Sequence, residues 1–239
     1  DSSSAAFTIT LYTASGNTGR QVTIKKTDSS ANLVTVDGDG AETIDGATTI
    51  KLATQNESVT VVSNGTNWEI LNRKNKSNWN DDGEISITAT TTNPTKATTR
   101  EADKLRWRRV GDSMEIIMSY LSANSSGAAA GSGDYLFSIP SDYTIDTSKV
   151  TVNATLEGSG DYQLIGDILG TGQLERTNEE GQLVVIAYDS NNVRLFCPGF
   201  FNGATSTEGG VLSSSFFPLT GTGIGFSVKF TVPITDWEA

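Results

Sequence analysis

GFSVKFTV, at residues 225–232, alternates apolar and polar residues along its whole length. Successive side chains of a β-strand point to opposite faces of the sheet, so this alternation predicts a strand with one buried and one exposed face. The side chains expected on the buried face are those of Phe226, Val228, Phe230 and Val232. The same pattern recurs in RQVTIKK (20–26), ESVTVVS (57–63) and NVRLFC (192–197).

Turn-forming pairs separate these apolar runs. Asp-Gly, Asn-Gly and Ser-Gly recur between them, and Thr, Val and Ile, which favour strands, are abundant. No stretch carries the apolar stripe of an amphipathic helix. The sequence therefore predicts an all-β protein.

The character of the chain changes once along its length. Strand-like runs are short at first, whereas longer runs such as SMEIIMSYL (113–121) and QLVVIAY (182–188) occur later. Between the two parts, residues 73–103 are polar and Thr-rich, with one strand-like run. We therefore expect a small N-terminal β-domain over residues 1–72, a connector over 73–103 and a C-terminal β-sandwich or jelly roll over 104–239.

Composition excludes several functions. The 239 residues contain no His, so neither a Ser-His-Asp triad nor a zinc site that needs imidazole can form. The single cysteine, Cys197, cannot form an internal disulfide, and its place in NVRLFC predicts a buried, inert thiol. The net charge of −11 argues against sequence-independent binding to nucleic acid, which requires a cationic surface.

The chain shows no membrane or export segment. No apolar run is long enough to span a bilayer, so we expect no membrane insertion. The sequence opens on DSSSAAFTIT without Met, and no signal peptide is visible. We expect a processed or truncated piece, from which any upstream anchor would then be missing.

SMEIIMSYL carries apolar residues on both faces of the expected strand. One face would hold Ile117 and Leu121, and the other would hold Met114, Ile116, Met118 and Tyr120. Apolar residues on both sides predict either a layer of a sandwich or a subunit interface, and the sequence does not choose between them.

VTVDGDGAETIDG, at residues 34–46, holds the carboxylates of Asp37, Asp39, Glu42 and Asp45 among glycines. A calcium-binding EF-hand loop starting at Asp37 would need Gly at its sixth position and Glu at its twelfth, where this chain has Glu42 and Thr48. Asp-Gly pairs favour tight turns because Gly accepts positive φ. We interpret the stretch as turns, with a weak ion site at Asp37 and Asp39 as the alternative.

No pattern of catalytic residues stands out. Acidic pairs suited to glycoside hydrolysis have no distinguishing spacing, and the Asp-Thr-Gly or Asp-Ser-Gly of aspartic proteases is absent. The Gly-rich segments SSGAAAGSGD (125–134) and GTGIG (221–225) lack the Lys-Ser or Lys-Thr of a phosphate-binding loop. We expect these segments to be loops. We also expect that the protein is not an enzyme and has no cofactor.

One basic cluster occurs, in READKLRWRRV (100–110). In a strand, Lys104, Arg106 and Arg108 share one face, and Leu105 and Trp107 share the other. We expect the cations to pair with carboxylates of neighbouring strands or subunits. A site for an anionic ligand is the alternative.

Aromatic residues beside Asp and Asn in polar loops are typical of sugar-binding sites. GSGDYQ (158–163), YDSNNV (188–193) and GFFNGATSTEGG (199–210) fit this description. The candidate residues are Asp161, Tyr162, Asp189, Asn191, Asn192, Phe201 and Asn202. Loop 122–133 is a further candidate, since recognition residues concentrate on loops held by a rigid sheet.

Two longer stretches resemble structural proteins of bacteriophages and other prokaryotic viruses, especially tail fibres and spikes. Residues 16–71 contain VTIKKTDSSAN, ETIDG and SVTVVSNGTNW, and are similar to a small β-module found repeatedly in such fibres. KATTREADKLRWRRVGDSMEI (96–116), with GSGDYLFSIPSDYTIDTSKV (131–150), resembles the start of a distal head domain in virion proteins of marine and environmental phages.

This resemblance implies a homotrimeric fibre or spike on the virion surface. Its N-terminal side would join other virion proteins, and its C-terminal head would bind a host surface glycan or protein. The resemblance assigns no receptor-binding residue. The chain lacks the long shaft repeats of many tail fibres, so tail fibre, capsid spike and head fibre stay open. The rival functions are a purely structural capsid spike or decoration protein, a secreted carbohydrate-binding module and a depolymerising tailspike enzyme.

Overall fold

The structure, a computed structural model, describes residues 1–74, 79–152, 167–176, 179–202 and 205–237, with side chains except at 179, 199–202 and 205–209. Within these residues it contains sixteen strands and no helix. The expected all-β class is confirmed.

The chain divides into two compact units. The described part of the first unit comprises residues 1–74, 109–112 and 236–237. Its strands are β1 (Phe7–Thr10), β2 (Gln21–Lys25), β3 (Val34–Asp37), β4 (Thr49–Leu52), β5 (Ser58–Ser63) and β6 (Trp68–Lys74). They form two three-stranded sheets, β1-β3-β4 and β2-β5-β6. β1 pairs with β3 in parallel, and the other pairs are antiparallel.

Alternate residues of these strands build the core of the first unit. Val34 and Val36 of β3 and Val59 and Val61 of β5 are buried, and Trp68 at the start of β6 is 0% exposed. The alternation in ESVTVVS therefore places its apolar residues inside, as a half-buried strand requires.

The second unit contains the remaining strands. They are β7 (Asn80–Gly83), β8 (Ile87–Ala89), β9 (Arg100–Val110), β10 (Ser113–Ser122), β11 (Tyr135–Ser138), β12 (Gly170–Arg176), β13 (Glu179–Ala187), β14 (Asn192–Asn202), β15 (Thr205–Val211) and β16 (Gly225–Pro233). They form one ten-stranded sheet in the order β7-β9-β10-β16-β12-β13-β14-β11-β8, with β15 beside β14.

The GFSVKFTV strand, β16, pairs antiparallel with β10. The register opposes four pairs of buried side chains: Met114–Val232, Ile116–Phe230, Met118–Val228 and Tyr120–Phe226. On the other face of β10, Ile117 and Leu121 are half-buried. Cys197 in β14 is fully buried, as expected.

The two strands that end the sheet order, β7 and β8, are neighbours in the sequence. Only residues 84–86 separate them, and that stretch reaches at most about 14 Å when fully extended. The Ile85 N–H donates to Asp103 Oδ1 of β9 at 2.9 Å, and the Ser138 N–H of β11 donates to the Ser86 C=O at 3.1 Å. The sheet is therefore curled, and residues 84–86 bring its two edges together.

Residues 73–103, expected to form a connector, contribute the last two residues of β6, all of β7 and β8, and the first four residues of β9. The second unit begins at Trp79. β7 and β8 are the end strands of the sheet path, and among the described residues each pairs on one side only. Such strands need no alternating apolar pattern. A polar edge strand such as NDDG (80–83) therefore has the composition of a linker.

Candidate functional site

Asp189 organises the turn between β13 and β14. Its Oδ1 accepts hydrogen bonds from the backbone N–H groups of Asn191 (2.7 Å) and Asn192 (2.8 Å) and from Asn192 Nδ2 (3.0 Å). A carboxylate bonded to amides two and three residues ahead fixes a turn of the Asx type. Two candidate residues, Asp189 and Asn192, therefore hold the turn itself.

Asn191 is the exposed candidate in this turn. Its backbone C=O accepts from the Ile139 N–H at 2.9 Å, and its Oδ1 accepts from Ser190 Oγ at 3.0 Å. Ser138 Oγ donates to Asn192 Oδ1 at 2.9 Å. These bonds fasten the turn to the end of β11, beside the residues that bring the sheet edges together.

A cleft of about 320 Å³ lies at this place. We call it the closure cleft, because it lies where the two edges of the sheet meet. Leu105 and Ile139 supply its apolar lining. Its polar lining residues are Asp82, Glu84, Ser86, Ser138, Ser141 and Asn191.

Asp82 is the distinctive group of the closure cleft. Asp82 is accessible to water. Partial burial, and then repulsion by Asp142, nevertheless raise the pKa of its carboxyl group. A hydrogen bond with Trp107 opposes this rise. Trp107 is 7% exposed and meets the Tyr143 ring edge-on, with 4.9 Å between ring centroids. Within the described residues, no cation forms an ion pair with Asp82.

Glu84, on the rim of the same cleft, is in the opposite situation. Hydrogen bonds from Arg100 and then Lys96 hold the pKa of Glu84 below its ordinary value. Arg100 Nη2 is 2.6 Å from Glu84 Oε1, and Lys96 Nζ is 3.3 Å from Oε2. The same two cations reach Asp103, at 2.8 Å and 2.5 Å. The charge of Glu84 is therefore compensated within the protein.

The closure cleft thus combines the carboxyl group of Asp82, which pairs with no cation among the described residues, with several hydroxyl groups and an amide above two apolar side chains. Hydroxyl and amide groups both donate and accept hydrogen bonds. Ligand sites typically pair an apolar lining with a few such polar groups. This set suits a polyhydroxylated ligand such as a sugar.

The stretch VTVDGDGAETIDG contains a tight turn of the first unit at residues 44–47. Asp45 and Gly46 have φ of 48° and 87°, and the flanking Ile44 and Ala47 exchange backbone hydrogen bonds in both directions. Positive φ at both central residues is what a type I′ turn requires. The interpretation of this part of the stretch as a turn is confirmed.

The alternative for that stretch was a weak ion site. Asp37 is the last residue of β3, and Asp39 is exposed in the turn that follows. Within the ranges that the structure describes, no three Asp, Glu or Cys side chains come together as a metal-binding group.

Three basic side chains of β9, those of Lys104, Arg106 and Arg108, share one face of the strand, as expected. Lys104 and Arg106 are exposed and Arg108 is half-buried. Lys104 Nζ is 3.3 Å from Asp81 Oδ2 of β7, and Arg108 pairs with Glu115 of β10. Pairing with carboxylates of neighbouring strands is confirmed for Lys104 and Arg108.

The other expected glycan residues fall elsewhere. Asp161 and Tyr162 lie outside the described residues. Phe201 and Asn202 are at the end of β14, opposite Ser206 and Thr205 of β15. The expected loop over 199–210 is therefore wrong for the described backbone, which forms a strand hairpin. The Gly and Thr content of this segment suggests a loop. In the described residues, however, β15 pairs with one strand, and such an edge strand can form without an alternating apolar pattern.

Loop 122–133 is held by backbone hydrogen bonds. Thr92 and Ser132 exchange two such bonds of 3.0 and 2.9 Å, and Thr95 and Ala129 exchange two of 2.8 and 2.9 Å. At Gly131, with φ of 65°, a Cβ atom would lie 2.1 Å from the Thr92 carbonyl oxygen. The loop is fastened along residues 90–98 of its own unit.

Reasoning from the sequence missed Asp82, Ser86, Ser138 and Ser141. Asp82 stands in a polar run, NDDGE (80–84), that has no feature separating it from the other acidic residues. Its special environment comes from Asp142 and Trp107, which are distant in the sequence. Only the fold brings these groups together.

Comparisons of the chain with protein-family models, with curated proteins and with solved structures found no match. No helix that could cross a membrane occurs among the residues described. Function is therefore inferred from the residues and their geometry.

Proposed function

We propose that the chain is a structural protein of a prokaryotic virus, a fibre or spike that attaches the virion to a glycan or protein of the host surface. The resemblance of residues 16–71 to a fibre β-module carries this proposal. The same residues supply most of the first unit: Trp68 fills its core, and Glu42 and Asp45 hydrogen-bond its turns. A module with its own core is suited to serve as a scaffold element.

The proposed assembly is a homotrimer on the virion surface. The N-terminal side joins other virion proteins, and the second unit forms the head as a β-sandwich or jelly roll. Three copies turn weak contacts into firm adhesion, because the second and third contacts are intramolecular. A net charge of −11 suits binding in open solution and disfavours nucleic acid as a partner.

The proposed receptor site is the closure cleft. Asp82 supplies a carboxyl group, and Ser138 and Asn191 supply a hydroxyl and an amide. The role is binding without catalysis. Loss of a hydrogen-bonding group at such a site weakens a complex because its partner group is left unsatisfied.

Adhesion of the purified full chain to cells tests this function. A fluorescently labelled chain is offered to a broad panel of bacterial strains, and retained label is measured by flow cytometry. We expect binding to a subset of strains and competition with infection of those strains by virus. Asp82→Asn should weaken adhesion, whereas Asp39→Asn, an exposed change in the first unit, should not.

Two results would overturn the proposal. A folded chain that adheres to no strain and competes with no infection would leave a purely structural spike or decoration protein. Release of reducing sugar from a surface polysaccharide would show that the protein is an enzyme.

A further inference from the structure

A second, larger groove lies on the face of the ten-stranded sheet that carries Lys229 and Ser227. Its volume is about 480 Å³, and it spans β10, β16, β12 and β13, which are neighbours in the sheet. The alternate residues Tyr120 and Phe226 point to the buried face. We call it the sheet groove. Of the expected glycan-binding residues whose side chains the structure describes, none lines it.

One row of polar side chains crosses the sheet groove. The register places Ser119 opposite Ser227, Ser227 opposite Gln173, and Gln173 opposite Gln182. The Oγ atoms of Ser119 and Ser227 are 3.2 Å apart. Neighbouring strands lie about 4.8 Å apart, so the row offers a hydroxyl or an amide at that interval. Every one of these groups can both donate and accept.

A second row runs beside the first. It consists of Leu121, Gly225, Glu175 and Glu180 in register. Gly225 is buried, and a Cβ atom there would lie 2.9 Å from Leu121 Cδ1. A Cβ atom there would lie 2.6 Å from the Tyr120 carbonyl oxygen. Glycine at this position therefore allows the close approach of β16 to β10.

Glu175 and Glu180 stand directly opposite each other across β12 and β13. Like charges in that position destabilise an antiparallel pair. In the part of the chain described, no cation forms an ion pair with either residue. An arrangement that costs stability without compensation is typical of a functional surface.

We propose that the sheet groove binds a neutral, polyhydroxylated glycan laid across the four strands. Sugar hydroxyls donate to Glu175 and Glu180 and exchange hydrogen bonds with Gln173, Gln182 and the serines. The two carboxylates repel sulfated or uronic sugars. Leu121 and Ala102 supply apolar contact at one end. The volume falls in the range of small-molecule sites, about 300–1,000 Å³.

A second copy of the chain is a poorer occupant of this surface. The buried core of a subunit interface is depleted of charged residues. Docking two chains of net charge −11 there would bury Glu175 and Glu180 in an acidic environment. The charge pattern instead fits a neutral ligand rich in hydrogen-bond donors.

This inference rests on the proposed attachment function only for the source of the glycan; the binding chemistry is independent of it. The test is an array of neutral oligosaccharides and their sulfated and uronic counterparts, probed with the labelled full chain. The double variant Gln173→Ala/Gln182→Ala removes both amides from exposed positions. Thr231→Ala is the matched control, exposed on the same face of β16 and outside the groove.

We expect the native chain and the Thr231→Ala variant to bind neutral glycans equally. The double glutamine variant should bind about tenfold more weakly, the loss expected for two hydrogen-bonding groups. Glu175→Gln/Glu180→Gln should admit anionic glycans that the native chain rejects. Thermal unfolding of each variant confirms that the fold is intact.

Absence of neutral-glycan binding, or equal binding by the glutamine variant, would overturn the sheet groove as a site. Binding lost through Asp82→Asn alone would also overturn it, and would leave the attachment function at the closure cleft. Groove-dependent glycan binding without adhesion to any cell would keep the groove and reject the attachment function. The two proposals therefore fail separately.

Discussion

At the scale of single residues, Glu42 ties together separate segments of the first unit. It accepts hydrogen bonds from the Ala14 N–H (2.8 Å), Thr13 Oγ1 (2.8 Å) and Trp68 Nε1 (3.2 Å). These bonds, of which that from Ala14 has the largest effect, lower the pKa of Glu42 by more than partial burial raises it. The pKa of Glu42 therefore lies below its ordinary value of 4.5. Stability from this group is therefore complete above that value and is lost as the pH falls through the lower folded pKa.

We expect Glu42→Gln to lower the free energy of unfolding at about pH 7. The difference in unfolding free energy between this variant and the native chain should shrink as the solution is acidified towards about pH 3. Urea unfolding across this range measures the difference. Asp39→Asn, an equal change of charge in the same stretch, should have little effect at any pH. A Glu42→Gln difference that stays constant with pH would contradict the assignment.

Glu57 and Arg109 form a buried ion pair in the first unit. Both side chains are 0% exposed, with Glu57 Oε1 2.5 Å from Arg109 Nη1. Glu57 Oε2 also accepts from the backbone N–H groups of Ala53 and Thr54, and Arg109 Nε donates to the Gly111 C=O at 2.7 Å. Removing the Glu57 carboxylate takes this ion pair away from a guanidinium that is fully buried.

Glu57→Gln should therefore cost about 3–5 kcal/mol of unfolding free energy. The comparison variant is Lys104→Ala, which breaks the exposed pair of Lys104 with Asp81, at 58% and 54% side-chain exposure. That variant should cost at most about 1 kcal/mol. Chemical denaturation measures the unfolding free energy of both variants. An equally small loss in both would show that the buried pair does not stabilise the fold.

At the scale of elements, β12 shows a strand made possible by glycine. A Cβ atom at Gly172 would lie 2.1 Å from the Ser227 carbonyl oxygen and 2.5 Å from Val228 Cγ1 of β16. The exposed neighbour Thr171 has no such restriction. The close approach of β12 to β16 therefore depends on this glycine.

Gly172→Ala should destabilise the protein by about 1–3 kcal/mol, although alanine is not an unusual strand residue, because the added methyl group overpacks the strand pair. Thr171→Ala should change the stability by less than about 0.5 kcal/mol. Thermal unfolding measures both variants. A neutral Gly172→Ala would contradict the close approach.

Some elements follow from the sequence and others do not. β5, β10 and β16 alternate apolar and polar residues, and their buried faces are those that the alternation predicts. β7 (NDDG) and β15 (TSTEGGV) have no such pattern. Within the part of the chain that the structure describes, each pairs with one neighbour, so the partner strand supplies the order that their own residues do not specify.

At the scale of the whole molecule, the second unit depends on residues 84–86, where its sheet edges meet. Asp103 anchors this segment, because its Oδ1 accepts from the Ile85 N–H while Oδ2 pairs with Lys96 and Arg100. Asp103 is only 6% exposed in its side chain. Loss of its carboxylate would leave the Ile85 amide without its partner.

Asp103→Ala should lower stability by about 1–3 kcal/mol, and should speed hydrogen exchange at the Ile85 amide. Amides of β5 in the first unit serve as the internal reference. Hydrogen exchange followed by mass spectrometry reports both regions. Unchanged protection at Ile85 would show that Asp103 does not hold the segment.

The candidate site was only partly accessible to sequence reasoning. YDSNNV (188–193) has the composition of a polar turn, and Asn191 does line the closure cleft. Asp82 could not be singled out, because its neighbours Asp142 and Trp107 come from other parts of the chain. The sheet groove was hidden for the same reason, since its polar row exists only in the register of four strands.

The solution mass of the purified chain tests the fibre or spike proposal most directly. Sedimentation or light scattering should give about three times the chain mass of 25.3 kDa. A trimer would provide the multivalent contact that attachment by weak single sites requires. A clean monomer of 25.3 kDa would contradict the proposed fibre or spike.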